Sequence, residues 1–77
     1  MDRWLRHYHV TYGGQDDRRE TKREAERHAV FLREVSEAGG YRRAYGSAHK
    51  GLIVLHSPGG YETRIVITPC DVDHFGR

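Results

Sequence analysis

Only one stretch of this sequence repeats its apolar side chains with the period of a helix, so a single helix must cover whatever sheet the rest of the chain forms. At about 100° per residue, most charged side chains fall on one half of the helix, and Val30 is the one large apolar residue among them. The other half, which we expect to pack inward, holds Ala25, His28, Ala29, Phe31, Leu32, Val35, Ser36 and Ala38.

Local signals mark the two ends of this helix. Thr21-Lys22-Arg23-Glu24 matches a capping box, in which the threonine hydroxyl accepts a hydrogen bond from the backbone N–H of Glu24. Gly39-Gly40 supplies a stop in the left-handed conformation. We therefore predict a helix over residues 21–38.

The segment before the helix has the alternation of a strand. Residues 3–12 place Trp4, Arg6, Tyr8, Val10 and Tyr12 on one face. Gly13-Gly14 ends this pattern, and the polar residues 15–20 predict a loop.

After the helix, short turn-like sequences separate three further strand segments, at residues 41–48, 52–57 and 61–68. Short connections join antiparallel neighbours, so these segments predict a meander. Pro69 is expected to end the last strand, which leaves residues 69–77 as a tail.

The element order is thus β-α-β-β-β, which predicts an α+β fold with one amphipathic helix packed on a mostly antiparallel four-stranded sheet. A chain of 77 residues has room for one small domain, which excludes large multi-step enzymes.

Residues 52–55 and 65–67 put apolar side chains on both faces of their strands, whereas one helix covers one face. We expect a homodimer to cover the second face, with the terminal segments 1–5 and 72–75 as the alternative cover.

The positive charge is concentrated in the meander. The chain has a formal net charge of +2, yet residues 39–68 hold four basic side chains against the single Glu62, a net +3. Tyrosines are interleaved with these charges, and tyrosine and arginine are the residues enriched at protein interfaces. We predict a binding surface formed by seven residues, Tyr41, Arg42, Arg43, Tyr45, Lys50, Tyr61 and Arg64.

Two classes of partner fit such a surface. Our first expectation is a protein partner, and the alternative is a nucleic acid whose bases stack on the tyrosines while arginines contact the phosphates. No catalytic residue and no cofactor is assigned, so we expect a binding protein rather than an enzyme.

Potential metal ligands are present, but their spacing does not match a zinc motif. His7 and His9 lie on one face of the first strand, and Cys70, Asp71, Asp73 and His74 lie in the tail. A zinc site needs three or four converging ligands, and the chain lacks paired CxxC or HxxxH spacing. The sequence therefore leaves the metal site unassigned.

The single Cys70 cannot form a disulfide within the chain, and no signal-peptide core or apolar run of about 20 residues is present. We expect a cytoplasmic protein without a membrane partner.

A strand and helix followed by a meander with scattered Arg, Tyr and His is similar to the small ribosome-dependent ribonuclease toxins, which usually have a second helix. That resemblance implies RNA cleavage, with Arg42, Arg43, Tyr45, His49 and His56 as the candidate residues.

The closest overall resemblance rests on Tyr8-His9-Val10-Thr11-Tyr12 and Ala25-Glu26-Arg27. These segments resemble short, arginine-rich, single-helix proteins of actinobacteria and their phages, most of which have no assigned function. The resemblance implies an origin and a size class, a small protein of phage or mobile-element type, and no mechanism. We expect such a protein to act through the meander on a host protein, with a nucleic acid as the alternative.

Overall fold

The computed structural model of the chain describes residues 6–71, in which one helix packs on a five-stranded antiparallel sheet. In chain order the elements are β1 (His7–Tyr12), β2 (Gln15–Arg19), α1 (Lys22–Ala38), β3 (Arg42–Ser47), β4 (Leu52–His56) and β5 (Glu62–Cys70). The strand order is β2-β1-β5-β4-β3, so the first and last strands are neighbours within the sheet. The predicted α+β class is confirmed, and β3, β4 and β5 form the predicted meander.

Strand β2 corrects the predicted loop over residues 15–20, and with it the predicted count of four strands. Tyr12 pairs with Gln15, so Gly13-Gly14 is a two-residue hairpin turn, and Gly13 has a φ of 61° that such turns require. Because every side chain of β2 is polar, the strand has no apolar alternation to reveal it. Its stability comes instead from the partner strand and from α1.

The contact between β2 and α1 is polar. His28 Nε2 donates to the Asp17 carboxylate at 2.6 Å, and Arg19 Nη2 donates to His28 Nδ1 at 3.3 Å. Both ring nitrogens of His28 therefore form hydrogen bonds, and these bonds hold strand β2 against helix α1.

Helix α1 begins one residue after the predicted start and ends at the predicted Ala38, but its buried face is rotated. Thr21 is the N-cap and accepts a hydrogen bond from Glu24 N at 3.1 Å. Val30 packs against the core, whereas Phe31 is 57% exposed and Val35 is 54% exposed. The buried residues of the helix are small, namely Ala25, Ala29 and Ser36, and small side chains let a helix backbone approach a sheet closely.

The core lies between α1 and the inner face of the sheet, which we define as the face that contacts the helix. Its large buried side chains are Val10, Ile53, Leu55 and Ile65. The opposite, outer face holds Val54, which is nonetheless 0% exposed within the single chain. The burial of Val54 therefore does not require a second copy of the protein.

Strands β3 and β4 and the start of β5 differ from the predicted bounds by one residue at each differing end, and two boundaries differ by more. Strand β1 begins at His7, and residues 3–5 of the predicted strand lie outside the described residues. Strand β5 continues through Pro69 to Cys70, so the prediction that Pro69 ends it is wrong. Beyond Ile67, β5 pairs only with β1, and proline is tolerated where one side of a strand has no neighbour.

The predicted tail thus contributes Pro69 and Cys70 to the sheet. Residues 1–5 and 72–77 lie outside the described residues. The alternative prediction, that the terminal segments cover the second face of the sheet, concerns these residues.

Candidate binding site

The structure divides the seven predicted binding residues among three places. Arg42, Arg43, Tyr45, Tyr61 and Arg64 lie at or near one end of the meander, Tyr41 packs against the core, and Lys50 lies in the turn at the other end of β3.

The end of the meander that holds five of these residues contains a cleft of about 600 Å³. We call it the arginine cleft, and its lining is Gly40, Arg42, Arg43, Ala44, His56, Ser57 and Pro58. Strand β3 is an edge of the sheet, so Arg42 and Arg43 are both solvent-exposed. A register shift between Arg43 and Tyr45 marks a bulge at Ala44, a common way to blunt a sheet edge against unwanted strand pairing.

The charges around the cleft are unevenly paired. Among the described residues, neither Arg42 nor Arg43 has a carboxylate within ion-pair distance. By contrast, Arg64 Nε donates to Glu62 Oε2 at 2.6 Å, and this carboxylate raises the pKa of the Arg64 guanidinium above its ordinary value. The two arginines of β3 are therefore the cations available to an anionic partner.

Tyrosines flank the cleft. Tyr45 is opposite Val54 in the sheet, and Val54 is in turn opposite Arg64, so the three side chains form one row on the outer face. Tyr61 follows the β4–β5 turn, which is held by hydrogen bonds from Ser57 N to Tyr61 O at 2.8 Å and from Tyr61 N to Ser57 Oγ at 3.0 Å. Its side chain is 78% exposed, so it presents a large apolar ring to solvent next to the cleft.

The other two predicted residues do not join this surface. Tyr41 is half-buried against the core cluster. Lys50 lines a separate cleft of about 320 Å³ together with Arg6, Tyr8, Lys22, His49, Gly51, Ile67 and Pro69.

The histidines of the ribonuclease hypothesis also lie apart. His49 is in the turn before β4 and His56 is the last residue of β4, so the two histidines lie at opposite ends of that strand. At about 3.3 Å per residue this separation is roughly 15 Å or more. General acid–base partners must both reach the reacting group, so the two imidazoles do not form one acid–base pair.

A second group of polar side chains lies on the outer face, at the opposite end of β5. His7, His9 and Cys70 converge there, with one ligand-type atom of each within 4.8 Å of the others. The sequence puts His7 and His9 on one face but assigns Cys70 to a tail. The pairing of β1 with β5, which brings Cys70 opposite His7, joins the first and last strands and has no local sequence signal.

Comparison with protein-family models, curated proteins and solved structures gives no match. Within residues 6–71, no helix has both the length and the apolar composition needed to cross a membrane.

Proposed function

We propose that the protein is a small, non-enzymatic binding protein that engages an acidic surface of a protein partner through the arginine cleft. The observation that carries this proposal is the pair Arg42 and Arg43, which have no carboxylate partner among residues 6–71 and lie beside two exposed tyrosines. Arginine binds carboxylates bidentately, and tyrosine buries large area at low entropic cost.

The arrangement favours a protein over a nucleic acid. A single-stranded nucleic acid needs a continuous basic track with aromatic rings along it. Here Lys50 lies at the far end of the meander and Arg64 is paired with Glu62, so no continuous basic track extends from Arg42 and Arg43. Two exposed arginines line the cleft and two exposed tyrosines lie near it in the chain, and arginine and tyrosine are the residue types enriched in the hot spots of protein interfaces.

A matched pair of variants tests this proposal. The wild-type protein, the double variant Arg42→Ala/Arg43→Ala and the control Lys50→Ala are each immobilised and exposed to a nuclease-treated lysate. All three positions are exposed, so each variant should fold. We expect wild type and Lys50→Ala to retain the same stoichiometric protein, and the double variant to lose it.

Two outcomes would contradict the proposal. Retention of that protein by the double variant would show that the arginine cleft does not bind it. Loss of the captured material on nuclease treatment, with salt-sensitive binding of labelled RNA or DNA by the wild type, would instead identify a nucleic-acid module.

The resemblance to short proteins of actinobacteria and their phages supports the choice of lysate. If the protein is of phage or mobile-element type, its partner is a host protein of the bacterial cytoplasm, so an actinobacterial lysate is the appropriate source.

The homodimer is a separate prediction. A second copy would cover the outer face of the sheet, although Val54 on that face is already buried within one chain. Leu52 and Val66 on the same face are only partly buried, so some apolar surface remains for a second copy. Sedimentation should give a mass that rises toward twice 8.9 kDa with concentration, and a constant monomer mass would refute the dimer.

A further inference from the structure

The fold brings three metal-ligating side chains together on the outer face. His7 and His9 are two residues apart on β1 and so point to the same side of the sheet, and Cys70 on β5 is directly opposite His7. One nitrogen of each histidine and the sulfur of Cys70 all lie within 4.8 Å of one another. From this convergence we propose that His7, His9 and Cys70 form a zinc-binding site.

The nitrogen distance is close to the one that zinc imposes. His7 Nε2 and His9 Nε2 share a hydrogen bond at 3.0 Å, and their rings meet edge to face at 67°. One of the two nitrogens therefore carries a proton, which a bound zinc ion would displace. A tetrahedral zinc ion with zinc–nitrogen distances of about 2.0–2.1 Å places two nitrogen ligands about 3.3 Å apart. A shift of about 0.3 Å would therefore bring the two nitrogens to coordination distance, which small side-chain rotations can supply.

The sulfur is within range as well. With a zinc–sulfur distance of about 2.3 Å, a nitrogen and a sulfur ligand lie about 3.6 Å apart, and the separations here are no greater than 4.8 Å. The strands set the spacing of the ligands, so the site is built on rigid elements rather than on loops.

Asp16 provides the outer contact that zinc-binding histidines commonly have. Its Oδ1 accepts a hydrogen bond from His9 Nδ1 at 2.8 Å. A proton on Nδ1 leaves the lone pair of His9 on Nε2, the atom that faces His7 Nε2. Carboxylate–histidine–zinc arrangements of this kind fix the tautomer and orient the ring.

The site is partly buried, with His7 inside and His9 and Cys70 at intermediate exposure, so a metal ion bound there would be open to solvent on one side. His7 is 1% exposed, although it lies on the face of the sheet opposite α1. Two imidazoles and a thiolate are borderline-to-soft ligands that suit zinc and do not suit magnesium or calcium. Three protein ligands leave the fourth tetrahedral position to water or another donor, and the tail residues Asp73 and His74 lie outside the described residues.

This site is independent of the proposed binding function. Strand β5 is nine residues long, with Cys70 at one end and Glu62, next to the arginine cleft, at the other. The two ends are roughly 26 Å apart at about 3.3 Å per residue. A bound zinc ion would join the first strand to the last and so act as a staple for a small domain.

Cobalt(II) is the probe for the test, because tetrahedral cobalt with a thiolate ligand absorbs in both the visible and the near ultraviolet. The full chain is prepared without a polyhistidine tag, reduced and treated with a chelator. We expect one equivalent of cobalt to produce the thiolate-to-cobalt charge-transfer band and one equivalent of zinc to abolish it. Zinc at 100 times its Kd should also raise Tm by roughly 10 °C or more.

Three variants separate a built site from adventitious binding. Cys70→Ser should lose the charge-transfer band, and Asp16→Asn should bind about 10–100-fold more weakly with the band retained. His56→Ala, which removes an exposed histidine elsewhere on the outer face, should bind like wild type. Arg42→Ala/Arg43→Ala should keep the cobalt spectrum, and Cys70→Ser should keep the protein partner, so the two proposals fail separately.

The proposal is overturned if wild type with excess cobalt shows no charge-transfer band. It is also overturned if Cys70→Ser binds zinc as tightly as wild type, because the thiolate would then not be a ligand. Circular dichroism of each metal-free variant distinguishes loss of a ligand from loss of the fold.

Discussion

Gly46→Ala is expected to remove most of the stability of the fold. Gly46 lies in β3 opposite Ile53 with a φ of +95°, and a Cβ at this position would be 2.1 Å from the backbone oxygen of Leu52. A non-glycine residue in this conformation costs about 1–3 kcal/mol, and the clash with backbone adds to that because β3 and β4 must separate. We expect a total loss above about 3 kcal/mol, measured by urea denaturation.

Gly60→Ala is the matched control for the backbone strain. Gly60 has a φ of +91°, but a Cβ there would meet nothing within 4 Å. This variant should lose only the conformational cost, about 1–3 kcal/mol. Equal losses in the two variants would show that β3 and β4 are not in close contact at Gly46.

Val10→Ala should lower the free energy of unfolding by about 1.5–3 kcal/mol. Val10 is 1% exposed in the core beneath α1, so truncation removes buried apolar surface and leaves a cavity. For a domain of this size the corresponding fall in Tm is roughly 10 °C, read from a thermal denaturation curve.

The same substitution at Val35 tests the rotation of the helix. Val35 belongs to the half of the helix that the periodicity predicts to be buried, yet it is 54% exposed. Val35→Ala should change stability by no more than about 0.5 kcal/mol, since alanine also has the higher helix propensity. If Val35→Ala lowered the free energy of unfolding as much as Val10→Ala does, Val35 would be buried. The helix face predicted from the periodicity would then be the buried face, in contradiction to the structure.

Local signals were sufficient for the elements that depend on local physics. Thr21 and Glu24 predict the start of α1, and the turn sequences predict the meander, because capping and tight turns involve residues close in the chain. Strand β2 was not predicted because its stability comes from pairing with β1 and from the contact of Asp17 with His28, which its own residues do not reveal. The rotation of α1 depends on which side chains fit the sheet, and periodicity alone does not encode that fit.

The candidate sites were predictable to different degrees. The excess of positive charge and the interleaved tyrosines of the meander pointed to Arg42 and Arg43. The same pattern also included Lys50 and Tyr41, which the fold places elsewhere. The possible metal ligands were visible as residue types, and His7 and His9 were correctly placed on one face. What the sequence could not supply is the register of β1 against β5, which sets Cys70 opposite His7 across the full length of the chain.

We propose that the end of the meander around the arginine cleft contacts a protein partner. Site-specific photo-crosslinking tests it most directly, with a photoreactive amino acid placed either at Tyr61, which is 78% exposed beside the cleft, or at Lys50 at the far end. After irradiation in nuclease-treated lysate, we expect one discrete protein adduct from position 61 and none from position 50. The same adduct from both positions, or an adduct from position 50 alone, would contradict the claim.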